Sequence, residues 1–147
     1  MNETQKSRTL IEDIKIGAEF VQQALIESNY NLEMTVDSLK EMDRFLNEQW
    51  DDENQQPKSE GVLAESTGSI LFSLASLLGE IMICEYQGKW ITDDNDPSGE
   101  LNIAIKLDNG STFYPAYLLM KRLQTGKEVS IYENALIAGK DKRAVKN

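Results

Sequence analysis

Apolar residues recur three and four positions apart near the start of the chain. Leu10, Ile14, Ala18, Val21 and Leu25 form one stripe, which predicts a helix from about Arg8 to Glu27. Asn29-Tyr30-Asn31 breaks the period, and Val36, Leu39, Met42, Leu46 and Trp50 restore it. Thr35 or Asp37 can cap this second helix by accepting backbone amides that its first turn leaves unpaired. Two such helices are expected to pack together.

From Asp51 to Glu60 there is no large apolar residue but four acids, three amides and Pro57. That composition predicts a solvated linker and places the main internal boundary there. Between Val62 and about Tyr86 the pattern changes. Ile70, Leu71, Leu74, Leu77, Leu78, Ile81 and Met82 alternate only with small residues, leaving little polar face, so this helix is expected to be buried on most sides. Gly68 and Gly79 each cost roughly 1 kcal/mol in a helix interior relative to Ala, which implies close packing against a neighbour.

After Gly88 the period becomes two. Leu101, Ile103, Ile105 and Leu107 point one way while Asn102, Ala104 and Lys106 point the other, as in a half-buried strand. Asn109-Gly110 suits a tight turn, so Ser111 to Tyr114 should return antiparallel, with Lys89 to Thr92 as a third strand. Pro115 fits a first helical turn, Leu118, Leu119 and Leu123 continue that helix, and Gly126 ends it. A last short helix from Glu128 to about Ala138 presents Val129, Tyr132 and Leu136. Helices, a small antiparallel meander and two further short helices make an α+β domain over residues 10 to 138, between a flexible N-terminus (1 to 9) and a flexible tail (139 to 147).

Composition narrows the setting. With 147 residues, 40% hydrophobic and 27% charged, the chain suits one ordinary domain with its own core. Met1 to Thr9 lacks the apolar run of a secretory leader, and Ile70 to Cys84, the nearest approach to a membrane span, is interrupted by Ser73, Ser76, Gly79 and Glu80. Cys84 is the only cysteine, so an intrachain disulfide is excluded and a cytoplasmic location is the simplest expectation. A net charge of −10 argues against nucleic acid and anionic membranes and favours a basic protein partner, although solubility alone can account for such a charge. Only Lys140, Lys142, Arg143 and Lys146, in the tail, are locally basic.

Few residues offer chemistry. There is no histidine, and Cys84 reads as a small buried apolar residue because no base is paired with it by sequence. Asp94, Asp96, Ser98 and Gly99 open like a calcium loop, yet the closing bidentate position falls on Ile105, so a plain connecting loop is expected and no metal or cofactor. Glu80 interrupts the most apolar helix and needs a cationic partner, for which Lys89, Lys121 and Arg122 are the candidates. Ser66, Ser69, Ser73 and Ser76 read as small helix contacts. Lys121-Arg122 fits either a phosphate site or the cations favoured near a helix C-terminus. The large anchors Trp50, Trp90, Phe113, Tyr114 and Tyr117 suit either core or interface.

Leu78-Gly79-Glu80-Ile81, Gly88-Lys89-Trp90, Leu107-Asp108-Asn109-Gly110, Phe113-Tyr114-Pro115 and Lys121-Arg122-Leu123 with Gly126 together resemble a family of small, functionally uncharacterised bacterial proteins. Its features are a Leu-Gly-Glu helix, a Gly-Lys-Trp strand start and a Tyr-Pro or Phe-Pro helix start. Ser38-Leu39 and Met42-Asp43-Arg44-Phe45 are similar to it as well, so the likeness covers roughly residues 36 to 136. It implies a bacterial, soluble α+β domain and carries over no catalytic residue.

These features together favour a non-enzymatic, acidic interaction protein, most concretely an immunity protein that neutralises a basic toxin. Asp51, Asp52, Glu53, Asp93, Asp94 and Asp96 would ring the contact surface, with Trp50, Tyr114 and Tyr117 as anchors. The alternatives are a small enzyme using Glu80 with Lys89 or Lys121, and a homo-oligomeric domain, such as a homodimer that buries Tyr114 and Tyr117.

Overall fold

The first helix, α1 (Leu10–Glu27), starts where Thr9 and Glu12 close a reciprocal cap. Thr9 Oγ1 accepts the Glu12 amide at 3.2 Å, and the Glu12 carboxylate accepts the Thr9 amide at 2.9 Å. The computed structural model describes residues 8–65 and 67–140, so Ser66, most of the expected N-terminal arm and most of the basic tail lie outside the described residues. In α1, Ile14, Ala18, Val21 and Leu25 are buried, as their spacing requires. Asn29 ends the helix region at φ 73°, a left-handed conformation that Asn tolerates better than most residues.

Its neighbour is not the second helix. α1 packs along the long helix α4 (Thr67–Tyr86), and Gly17 sets the approach, because a Cβ there would lie 3.4 Å from the Ser73 backbone. α2 (Leu39–Glu48) follows a single 3-10 turn at Val36–Ser38 capped by Thr35, and packs chiefly on α6 (Ile131–Gly139). The expected pairing of the first two helices fails because α4, apolar on most sides, takes the α1 stripe for itself.

Trp50 is buried but not helical. α2 stops at Glu48, and Trp50 opens β1 (Trp50–Asp51), which pairs antiparallel with β2 (Gln56–Pro57) in the register Trp50 to Pro57 and Asp51 to Gln56. The expected linker is therefore a short hairpin. The Asp51 carboxylate ties its turn by accepting the Glu53 and Asn54 amides at 3.0 and 3.2 Å. A single hydrophobic cluster, running from Ile14 to Ala135, joins the elements on both sides of it.

After α3 (Val62–Glu65), α4 forms the centre of the fold, with Leu74, Leu77, Leu78, Ile81 and Met82 almost wholly buried. By length and composition α4 could cross a membrane, but most of its apolar window is enclosed here, as in the core helix of a soluble protein. β3 (Gly88–Ile91), β4 (Ala104–Leu107) and β5 (Thr112–Phe113) form an antiparallel sheet in that order, with Trp90 opposite Ile105 and Ile105 opposite Phe113. Gly110, at φ 96°, closes the tight turn between β4 and β5.

The strand expected from Leu101 begins only at Ala104. Backbone turns from Ser98 to Asn102 hold the preceding residues, so Leu101 is 38% exposed, whereas Ile103, Ala104 and Ile105 are consecutive and all buried. Strict alternation fails at Ala104, which is covered although it shares its face with the exposed Lys106.

Pro115 starts α5 (Pro115–Thr125), and Gly126, at φ 109°, ends it. α6 begins at Ile131, later than the sequence suggests, because Ser130 caps it. Ser130 Oγ accepts the Glu133 amide at 3.0 Å, and the Asp43 carboxylate of α2 accepts the Ile131 and Tyr132 amides at 2.8 and 3.0 Å. The architecture is α+β, with six helices among the described residues around a two-stranded and a three-stranded antiparallel sheet.

Candidate functional site

The acids and aromatics expected to share one contact surface occupy two separate places. Trp50 is only 3% exposed and lies under the Arg122 guanidinium, 5.1 Å from its ring centroid, so it is a core residue and not an anchor. Asp52 pairs with Lys127 at 3.0 Å beyond the C-terminal end of α5, and Asp51 is committed to its own turn, where the Asn54 side chain holds its carboxyl below the ordinary range. Tyr114 and Tyr117 stand at the opposite end of that 11-residue helix, about 16 and about 12 Å away along its axis. Glu53 goes with the hairpin, whereas Asp93, Asp94 and Asp96 belong to the loop after β3.

That loop is braced by its own carboxylates. Asp93 accepts the Asn95 amide at 3.0 Å, and Asp96 accepts the Ser98 amide and the Asn102 side-chain amide, both at 2.8 Å. The Asn102 contact is the main cause of the lowered Asp96 pKa. Asp94 Oδ1 accepts the Leu10 amide at 2.8 Å, which adds a third acid to the N-terminus of α1 beside Glu12 and Asp13. The oxygens that open the calcium-like pattern are thus engaged by backbone and Asn donors. No group of three or more acids or cysteines among the described residues is arranged around a common metal position. Tyr117 donates its hydroxyl to the Asn102 side chain, and its ring lies 5.7 Å from that of Tyr114, tilted by 30°.

Glu80 has a different partner from those expected. Lys15 of α1 reaches it at 3.2 Å, and its Oε2 accepts the Trp90 indole N–H at 2.8 Å; neither Lys89, Lys121 nor Arg122 contacts it. Arg122 is wholly buried beside Trp50, with Nη2 donating to Asn47 Oδ1 at 2.7 Å, so it is not a surface phosphate ligand, whereas it does stand in the last turn of α5 as a helix-end cation. Burial pushes its pKa down, opposed by the charges of Asp43 and Asp52. Cys84 is exposed, contrary to the expectation of a buried thiol, because it lies on the outward side of the last turns of α4. Of the α4 serines, Ser76 is buried and donates to the Phe72 carbonyl at 2.8 Å, while Ser73 faces Gly17.

One face has the form of a binding surface. Its most apolar part is a cavity of about 370 Å³ between α4 and α5, floored by Leu71, Phe72, Leu101, Met120 and Leu123 and bordered by Glu100 and Gln124. Gly68 lies at its margin, where an added Cβ would meet nothing within 4 Å. Phe72, Gly68 and Glu100 also line the next depression, which runs over Gly17 to Ile16 and is edged by Asp13 and Arg8. Ile16 in turn borders a third, with Phe20, Glu19 and Glu27 on the outer side of α1. In the other direction Glu100 and Leu101 are shared with the loop depression containing Asp94 and Asp96.

The result is a groove of adjoining depressions, apolar between α4 and α5 and again at Ile16 and Phe20, mixed where Ser69 and Ser73 lie between them, with acids among the lining residues. Ile16 is 49% exposed and Phe20 66%, although both belong to a well-packed helix. Arg8 is the only cation lining these depressions among the described residues, and its guanidinium is held by Asp13 at 2.8 Å. No protein-family model, curated protein or solved structure matches the chain. The groove was partly readable in advance, since Ile16 and Phe20 lie one helical turn apart and off the core stripe of α1. Leu101, Met120 and Leu123 gave no such signal, because their neighbourhood depends on where the loop after β3 folds.

Proposed function

We propose that the chain is a non-enzymatic interaction protein that receives a basic protein partner along this acid-edged apolar groove. The observation that carries the reading is the coincidence of adjoining exposed apolar patches with Glu19, Glu27 and Glu100 among their lining residues, in a chain of net charge −10. Apolar contact supplies affinity, while the acids accelerate encounter with a cationic surface. A second copy of the same chain is a poorer occupant, because it brings the same acids to the contact. Neutralisation of a basic toxin by an immunity protein is the most concrete form of this function, and the bacterial cytoplasm, favoured by the family resemblance and the single exposed thiol, is its setting.

Compared with the sequence reading, the proposed contact keeps Asp94, Asp96 and Tyr117 near its edge and leaves out Trp50 and the hairpin acids Asp51 to Glu53. The test is capture from a lysate of the source organism at low salt, with the wild type and with a Glu19→Gln, Glu27→Gln, Glu100→Gln variant as baits. A basic protein retained by the wild type, released by salt and lost by the variant supports the reading. Retention undiminished in the variant, or loss only when Asp51, Asp52 and Glu53 are neutralised, overturns the assignment to this face.

A further inference from the structure

We propose that the groove is shaped for a cationic amphipathic helix, lying across α1, α4 and α5 with one bulky apolar side chain seated in the cavity beside Gly68. This inference rests on the interaction reading above and adds the form of the partner. The walls decide that form. Residues 16 to 20 belong to α1, 68 to 72 to α4 and 120 to 124 to α5, so the backbone beneath the floor is already hydrogen-bonded within helices. An extended segment laid there would leave its own N–H and C=O groups unpaired against apolar side chains, whereas a helix satisfies them internally. The edges of the three-stranded sheet, which would suit an extended partner, belong to β3 and β5, and none of the groove depressions includes a residue of either strand.

Two further features match a helical occupant. Apolar groups are spread along the groove from Phe20 and Ile16 through Phe72 to Leu101, Met120 and Leu123, as needed to meet a stripe of side chains three and four residues apart. Acids accompany the apolar groups at both ends of that line, with Glu19 and Glu27 beside Ile16 and Phe20 and Glu100 where the other depressions meet, so Lys or Arg flanking the apolar stripe of the partner would find carboxylates at each end. The cavity of about 370 Å³ takes a single Leu, Phe or Trp side chain from the middle of such a stripe. Gly68 lines both this cavity and the adjoining depression, and a Cβ there would meet nothing within 4 Å, so a bulky side chain at position 68 has room to occupy part of that space.

The experiment uses a synthetic Leu/Lys peptide of about 18 residues with its leucines at helical spacing, a scrambled isomer of identical composition, and a Leu/Glu counterpart. Binding is followed by calorimetry, peptide helicity by circular dichroism, and the site by amide shifts in the labelled protein. The expected result is binding of the Leu/Lys helix with a gain in helicity and shifts at Gly17, Phe72, Leu101 and Met120. Affinity should fall at least about tenfold for the scrambled isomer and for Gly68→Phe, whose fold is checked by its own spectrum, and should stay within about twofold for Asp52→Lys on the distant hairpin.

Equal binding of the scrambled isomer at the same residues overturns the helical mode and leaves the basic-partner reading standing. Shifts confined to the hairpin overturn the groove. Equal binding of the Leu/Glu peptide, or no binding of either basic peptide at low salt, overturns both readings.

Discussion

Gly79 of α4 lies flat against the ring of Trp90 in β3, so that a Cβ at position 79 would come within 2.0 Å of Trp90 Cη2. The next residue, Glu80, accepts the indole N–H of the same tryptophan at 2.8 Å. Together, the glycine that admits the ring and the carboxylate that orients it fix the sheet against the central helix. The Leu-Gly-Glu and Gly-Lys-Trp sequences therefore form one structural unit, although some ten residues separate them. The helix-breaking cost of Gly79 has its explanation here.

Gly79→Ala should lower stability by about 1–3 kcal/mol despite the better helix propensity of alanine, because Trp90 and Ile105 would have to move. The urea midpoint measures this loss. In a Trp90→Leu background the same change should be much milder, and an equal loss in both backgrounds would show that the contact is not its cause.

Arg122 supports a second prediction, since its cation is wholly buried with Asn47 as its side-chain acceptor, Trp50 beneath it and no partner for Nη1 among the described residues. Asn47→Ala should cost about 2 kcal/mol by stranding the guanidinium. The double change Asn47→Leu, Arg122→Met should be more stable than Asn47→Ala alone, because removing both polar groups avoids the desolvation cost. Urea denaturation of the variants decides the order.

Periodicity revealed the elements that bury one clean face. The α1 stripe, the nearly all-apolar α4 and the Asn109-Gly110 turn were all legible, because the signal for each lies within a few residues of the element itself. Pairings set by distant residues were not. Thr9 and Glu12 define the start of α1 locally, but Asp94 joins them from a loop far along the chain. Trp50 continued the α2 stripe by spacing and is indeed buried, but from a strand, because the Asp51 carboxylate closes a turn that composition alone read as linker. The relative positions of the candidate contact residues were hidden in the same way. Acids counted along the chain suggested one ring, whereas folding put Asp52 and Tyr114 at opposite ends of α5.

Asp43 illustrates how such a distant pairing can be tested. Its two oxygens accept the Ile131 and Tyr132 amides, and Oδ2 also accepts the Ser130 hydroxyl at 3.1 Å, so an α2 side chain caps α6. Asp43→Ala should cost about 1–2 kcal/mol and accelerate amide exchange first in residues 131 to 139. Uniform acceleration over the whole chain would instead indicate a general loss of stability.

Acid should unfold the protein through a definable set of carboxylates. The Arg44 guanidinium bonds the Glu41 side chain and, with the Asn31 amide, brings its pKa from the ordinary 4.5 to about 2. Glu48 is lowered mainly by the Tyr30 hydroxyl, Asp51 by Asn54 and Asp96 by Asn102. Each is depressed in the folded state, so the unfolded chain takes up protons first as the pH drops. The stabilisation is therefore fully present above the ordinary carboxylate values and is lost as the pH falls toward the folded-state values, for Glu41 between 4.5 and about 2. Glu41→Gln should be less stable than the wild type at neutral pH and should show a shallower decline over that interval, because one of the depressed groups no longer titrates. Urea midpoints taken across the interval measure both effects, and a wild-type slope in the variant would rule out Glu41 as a source of the acid sensitivity.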